Sequence, residues 1–302
     1  MPACLSLPTR APVLALAILL TAASPRSTTA EPPRDADTAE PVRVATLLPF
    51  VADALATMPA RATVVASVRR SAVDQAPVPG IDLGSPHAPS FERLAESRAQ
   101  LVVADAAMHA ALQDELARGG ATVLLVDTGS VDGTFAGLVE VGRRVGGEAE
   151  MARAVAAARD GIAAASLAQP VATLPFFGAP GNFLVITERT WLGDLLDELD
   201  FRNLARASTG KESFPGYVLV SDEVLAGMQP AIVLVVAHGD PAAIREAFAR
   251  RAAGGGPWRS LQDARLGVHV LDAGSFGTNP GLAMPETARR LQALVQHATA
   301  AR

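Results

Sequence analysis

The sequence predicts an α/β protein of two lobes, each a mostly parallel sheet with flanking helices, joined by one long backbone helix with a cleft between the lobes. Three observations predict it. Short apolar runs alternate with amphipathic stretches through both halves, the pattern of strand–helix units around parallel sheet. Between the halves lies EAEMARAVAAARDGIAAASLAQ (Glu148–Gln169), Ala-rich and free of proline, with Met151, Val155, Ala158 and Ile162 in one stripe at helical spacing. AIVLVVA (Ala231–Ala237) is apolar throughout, as a strand covered on both faces requires.

In chain order, residues 1–30 read as a leader, 31–41 as a polar Pro-rich linker, 42–147 as the first lobe, 148–169 as the connecting helix and 170–302 as the second lobe. RVATL (Arg43–Leu47) and TVVASV (Thr63–Val68) are the first strands, and a Gly/Pro-rich loop holding IDLGSPHAP follows. Ser90 is placed to cap the helix SFERLAES. LVVAD (Leu101–Asp105), the helix AAMHAALQDELARGG, TVLLVD (Thr122–Asp127) and VDGTFAGLVEVGRRVGG complete the lobe. The connecting helix, punctuated by Gly146-Gly147 and Pro170, would span about 30 Å, with Gly161 weakening it by about 1 kcal/mol. In the second lobe, VATLPFFGAPGNFLVIT (Val171–Thr187) is two strands around a tight turn. TWLGDLLDEL is an amphipathic helix, and SDEVLAGM another with Ser221 as cap. PAAIREAFARRA is helical, GVHVLD (Gly267–Asp272) is a last strand, and a helix from Pro285 closes the chain.

With 49% hydrophobic and 19% charged residues and a mean hydropathy of +0.25, the 302-residue chain has the composition of a packed globular protein. Its first thirty residues have the form of a secretory signal: Arg10, the apolar run Ala11–Ala23, and a small-residue cleavage site at Ala30, or alternatively near Ala23. That run is too short to span a bilayer. Cys4, the sole cysteine, lies in the n-region before that run and not at a lipid-anchor position after it, so disulfides and thiolate chemistry are excluded from the mature chain. The leader holds Arg10 and Arg26 and no acids, leaving 24 basic and 31 acidic side chains and a formal charge of −7. Nucleic acid is a poor partner for that balance. The expectation is a soluble, monomeric periplasmic protein.

Catalytic signatures are absent: no GxSxG, no HExxH, and no Rossmann glycine triplet after a strand. Gly210-Lys211 lacks the upstream glycine of a phosphate loop, Ala205 standing there instead. A binding protein is expected, not an enzyme. Of the five histidines, His109, His269 and His297 read as surface or core-edge side chains. His238 differs, because it stands where a buried strand gives way to loop, and ligands of open α/β sheets collect at the carboxyl ends of strands. His87 sits in the Gly/Pro loop of the other lobe. Two imidazoles are too few for a bare metal ion, but they match the two axial positions of an iron already held in a macrocycle.

PSFERLAESRAQLVV (Pro89–Val103), VDGTFAGLVEVGRRVGGEAEM (Val131–Met151), SDEVLAGMQPAIVLV (Ser221–Val235) and PWRSLQDARLGVHVLD (Pro257–Asp272) carry a resemblance across the whole mature chain. It resembles the helical-backbone periplasmic binding proteins, which deliver siderophores, cobalamin and haem to ABC importers. GAPGNFLVITERTWLGDLL (Gly178–Leu196) and AHGDPAAIREAF (Ala237–Phe248) are similar to the haem receptors of iron-regulated surface determinant systems. The resemblance implies that His238, the histidine of the AHG segment, is an axial haem ligand. Gly84-Ser85-Pro86-His87-Ala88-Pro89 has the frame of the relatives' GxPMxP loop, with His87 where they carry the second ligand, a methionine. Two imidazoles favour a six-coordinate, low-spin ferric centre.

Arg69 and Arg70 serve either as partners for haem propionates or as a solvated loop, and Lys211 and Tyr217 are weaker cleft candidates. Phe176, Phe177, Phe183, Trp191, Phe214 and Phe276 are either walls for a porphyrin or ordinary core. Glu92 and Glu223 match the positions at which the family's lobes dock onto permease arginines, and each is also simply an acid in a first helical turn. The expected partners are haem, an ABC permease and its ATPase. The rival cargo is a ferric siderophore or a corrinoid, which would need basic and aromatic groups and no axial histidines.

Overall fold

The computed structural model describes residues 40–70, 77–179, 181–206 and 211–300, with Lys211 described by its backbone alone. The expected leader and most of the linker lie outside the described residues. No described helix is long and apolar enough to cross a membrane.

The N-terminal lobe begins with β1 (Val42–Thr46), α1 (Pro49–Ala56), β2 (Ala62–Ser67) and β3 (Ile81–Asp82). A small hairpin, β4 (Gly84–Ser85) and β5 (Ala88–Pro89), leads into α2 (Phe91–Glu96). Ser90 caps α2 as expected, its hydroxyl accepting from the Arg93 amide. β6 (Leu101–Asp105), α3 (Ala106–His109), α4 (Gln113–Ala117), β7 (Thr122–Val126) and α5 (Val131–Arg144) follow. The sheet runs β3-β2-β1-β6-β7 and is parallel throughout. The expected single helix from Ala106 is instead broken by a 3-10 turn at Ala110–Leu112. The break falls at His109, whose backbone leaves the helical region (φ −116°, ψ 0°) while its ring engages two backbone groups described below.

The connecting helix α6 spans Glu148–Ala163, 16 residues and about 24 Å, shorter than the expected run to Gln169. The chain unwinds because the Leu167 amide donates to Leu199 O (3.1 Å) and not to the preceding turn, and the residue before Pro170 is sterically biased away from helix. The expected stripe is the buried one: Met151, Val155, Ala158 and Ile162. Burying each of the larger three stabilises by about 1.5–3 kcal/mol, enough to outweigh the glycine within the helix.

The C-terminal lobe opens with β8 (Val171–Ala179), β9 (Asn182–Ile186), α7 (Trp191–Glu198) and β10 (Phe201–Asn203). It continues with β11 (Lys211–Phe214), β12 (Tyr217–Leu219), α8 (Asp222–Ala226) and β13 (Ile232–Ala237). α9 (Pro241–Ala253), α10 (Pro257–Gln262), β14 (Val268–Leu271), α11 (Ala273–Phe276) and α12 (Met284–Ala300) complete it. This sheet is mixed: β10, β8, β13 and β14 are parallel, while β9, β12 and β11 are antiparallel. The pairing of Ala179 with Asn182 leaves room for a two-residue turn, and a connection that short can only reverse the strand. Every residue of β13 is buried, as its apolar run predicts.

The described residues form one compact unit. One apolar core runs through both sheets, from Val44, Val103 and Phe135, through the α6 stripe, to Leu195, Leu234, Val236 and Leu291. A buried polar clamp supplements it. The Asn279 amide nitrogen donates to Thr134 Oγ1 (2.8 Å) and Thr128 O (3.4 Å) in the first lobe, and Asn279 Oδ1 accepts from the Gly281 amide (2.9 Å). Gly161 has a packing role as well: a β-carbon there would lie 2.8 Å from Pro285 Cβ of α12.

Two outcomes follow for urea unfolding curves. Asn279→Ala, which leaves buried polar groups unpaired, should destabilise by about 1–3 kcal/mol. Gly161→Ala should lower stability by about 1–3 kcal/mol through overpacking against Pro285, in place of the gain of about 1 kcal/mol expected in an open helix.

Candidate ligand-binding cleft

The two sheets turn their carboxyl edges toward a common region. The segment after β14 and α11 reaches the first lobe, where Thr278 Oγ1 donates to Arg70 O (3.3 Å) just beyond β2 and Asn279 meets Thr128 just beyond β7. Loops at strand carboxyl ends are where open α/β sheets bind ligands.

His238 follows β13 at this edge. Its amide donates to Gly178 O (2.7 Å), extending the pairing with β8 by one residue. Side chains alternate along a strand, so His238 falls on the face of Leu234 and Val236, the face that belongs to the core shared with the first lobe. Its exposed ring rests against Phe177 (centroids 5.2 Å, planes at 36°), and Phe177 meets Tyr217 edge-on at 5.4 Å. Gly239, at φ +115°, turns the chain at once into α9, whose first amides are capped by Asp240.

His87 occupies the tip of the β4–β5 hairpin, exposed, with its amide donating to Ser85 Oγ (3.2 Å). The base is tied down by Arg69 N–H to Gly84 O (3.0 Å) and by Gly84 N–H to Asp82 Oδ1 (2.8 Å). The tip rests on His109, which is 1% exposed. Its Nδ1 accepts from the Asp105 amide (3.0 Å), so its Nε2 carries the proton and donates to Pro86 O (2.8 Å). The expectation of a surface or core-edge role for His109 is corrected: the side chain is fully enclosed and joins β6 to the hairpin. The one hint in the sequence is a capping aspartate at the end of an apolar strand with histidine four residues on.

The two arginines are occupied within their own lobe. Arg69 donates through Nε (2.9 Å) and Nη2 (2.6 Å) to Asp82 Oδ2, and Arg70 pairs with Asp53 on α1. The Gly84 amide first, then Arg69, holds the Asp82 carboxyl below its ordinary range. Both guanidinium groups keep close to half their side-chain surface exposed. Burial pushes the Tyr217 phenol upward. Lys211 opens β11, and its side chain lies outside the described residues.

Of the aromatic candidates, Phe176 and Phe183 cluster with Phe248 and Trp258 in the second lobe's own core, and Trp191 and Phe276 belong to the shared core. Phe177 alone among them stands beside His238, while Phe214 is 66% exposed on β11. Glu92 and Glu223 are exposed in the first turns of α2 and α8. Ser221 does not cap α8 as expected. The Ser221 hydroxyl and Glu223's own amide hold the Glu223 carboxyl below its usual range. Asp222 accepts from the Trp258 indole (2.9 Å), fixing α8 to α10.

Among the described residues no group of three or more histidine, cysteine, aspartate or glutamate side chains could hold a bare metal ion.

Among curated proteins none matches the chain. Solved structures do. An ABC transporter substrate-binding protein from Listeria monocytogenes EGD-e superposes with a TM-score of 0.69 at 19% identity, over 84% of this chain and 98% of that one. S. aureus IsdE complexed with heme gives 0.68 at 17% identity over 84% and 98%, and the periplasmic heme-binding protein HutB of Vibrio cholerae 0.62 at 19% over 84% and 98%. At these identities the likeness is one of fold. The model of the periplasmic binding protein family matches residues 36–253, and with that match over most of its length the chain belongs to this family.

Proposed function

We propose that this periplasmic binding protein captures haem between its lobes, with His238 and His87 on the two axial positions of the iron, and delivers it to an ABC permease driven by its ATPase. The observation that carries this reading is an exposed imidazole at the carboxyl edge of each sheet, each on a loop anchored by backbone hydrogen bonds. The tetrapyrrole supplies four nitrogens and leaves two positions open, which matches this donor set. Phe177, leaning on His238, offers an apolar surface to the ring, and binding needs no covalent chemistry. A haem propionate would meet Arg69 or Arg70 on the exposed side of guanidinium groups that Asp82 and Asp53 already orient. Tyr217 acts through Phe177, and Lys211 is a further cleft cation of this proposal. The place of action is the periplasm, as a monomer.

Glu92 and Glu223 are the proposed docking points for permease arginines, one on each lobe. Both carboxylates are solvent-facing and need no rearrangement to pair. The Trp258–Asp222 bond holds the second of them in place.

Titration with ferric haem should give wild type a Soret band and a low-spin six-coordinate electron paramagnetic resonance signal. His87→Ala and His238→Ala should each become high-spin and lose about tenfold or more in affinity, roughly 1.4 kcal/mol. Unchanged spectra in both variants would remove the site assignment. In proteoliposomes carrying the permease, Glu92→Arg and Glu223→Arg should lower stimulation of ATP hydrolysis while leaving the haem titration as in wild type.

A further inference from the structure

We infer that His109 is a positioning residue for the axial ligand His87, acting through the carbonyl of Pro86. This inference rests on the proposed bond between His87 and the haem iron. A hairpin whose two strands are two residues long pairs only Gly84 with Pro89 and Ser85 with Ala88, too little to hold a tip rigid by itself. The bonds from Arg69 and Asp82 reach its base at Gly84. The tip is met from beneath by His109 Nε2–H at 2.8 Å from Pro86 O.

Pro86 O belongs to the peptide that joins Pro86 to His87. A peptide unit is planar, so fixing its oxygen fixes the direction in which the His87 Cα leaves the turn. The donor is in turn fixed. Asp105 N–H can only donate, and it donates to Nδ1, which assigns the proton to Nε2 and leaves one tautomer available. The Asp105 carboxylate accepts from Met108 N–H (2.6 Å) and from the Thr128 hydroxyl at the end of β7. A continuous path therefore runs from β7 through Thr128, Asp105 and His109 to Pro86 and His87. With His109 sealed from solvent, water is not at hand to replace either bond. Ordering the ligand loop before haem arrives removes an entropic cost from binding, as groups behind a metal ligand do elsewhere.

The imidazole's two bonds can be separated by substitution. In His109→Asn the amide oxygen takes the place of Nδ1 and keeps the Asp105 bond, but nothing reaches Pro86. In His109→Gln the amide nitrogen takes the place of Nε2 and keeps the Pro86 bond. Ferric haem titrations of these two variants, wild type and His87→Ala, read by absorption and electron paramagnetic resonance, decide the matter. The inference expects His109→Asn to bind about tenfold more weakly, with a mixed high-spin and low-spin spectrum. His109→Gln should keep the wild-type low-spin signal. A folded His109→Asn with a wild-type spectrum, alongside a changed His87→Ala, overturns the role of His109 and leaves the ligand intact. An unchanged His87→Ala overturns both. Nitrogen-15 chemical shifts of the wild-type imidazoles test the same point without a variant: His109 should be the Nε2–H tautomer with and without haem, and an Nδ1–H tautomer would overturn the inference.

Discussion

The constraint on which the rest of this structure depends is the continuity of its apolar core across the two lobes. The stripe of α6 packs against α5 in the first lobe and α12 in the second, so both sheets share one buried interior. Asn279 adds direction to that contact. Apolar burial is non-directional and would tolerate sliding, whereas a buried amide with its donors and acceptor matched holds in one register. The carboxyl edges of both sheets are thereby presented to one region, and His87, Arg69, Arg70 and His238 each follow a strand at one of those edges.

That arrangement divides labour between rigid and exposed parts. His238 is set by strand pairing, since its amide continues the β13–β8 ladder and its ring has Phe177 behind it. His87 is set by a loop, and a loop of this size needs an outside support, which His109 supplies. The charges nearby are also largely settled inside each lobe. Arg69 and Arg70 are oriented by Asp82 and Asp53, so these guanidinium groups have a fixed direction and a nearby opposite charge. Glu223 is handled in the opposite way: its carboxylate is stabilised in the charged form by Ser221 while remaining in solvent, a state suited to meeting an external cation.

Much of this was legible from residue order alone, because the signals were local. The N-cap at Ser90, the stripe on α6, the buried run of β13 and the reversal after Ala179 each depend on neighbours within a few positions. His238 stood out for the same reason, as a polar residue ending an apolar strand. The misreadings share the opposite cause. The last turn of the connecting helix is lost to Leu199, 32 residues further along the chain than Leu167, and the helix after β6 is broken by a ring that bonds Pro86, 23 residues earlier. Helical periodicity contains no trace of such partners.

Residue order by itself determined the alternation of strands and helices, the apolar faces and the identity of the donor side chains, because backbone propensity and side-chain chemistry are properties of short segments. Tertiary structure decided which histidine is buried and which is presented, which carboxylate claims each arginine, and that both sheet edges share one region. Those outcomes depend on contacts between segments far apart in the chain, where distance in sequence says nothing about distance in space.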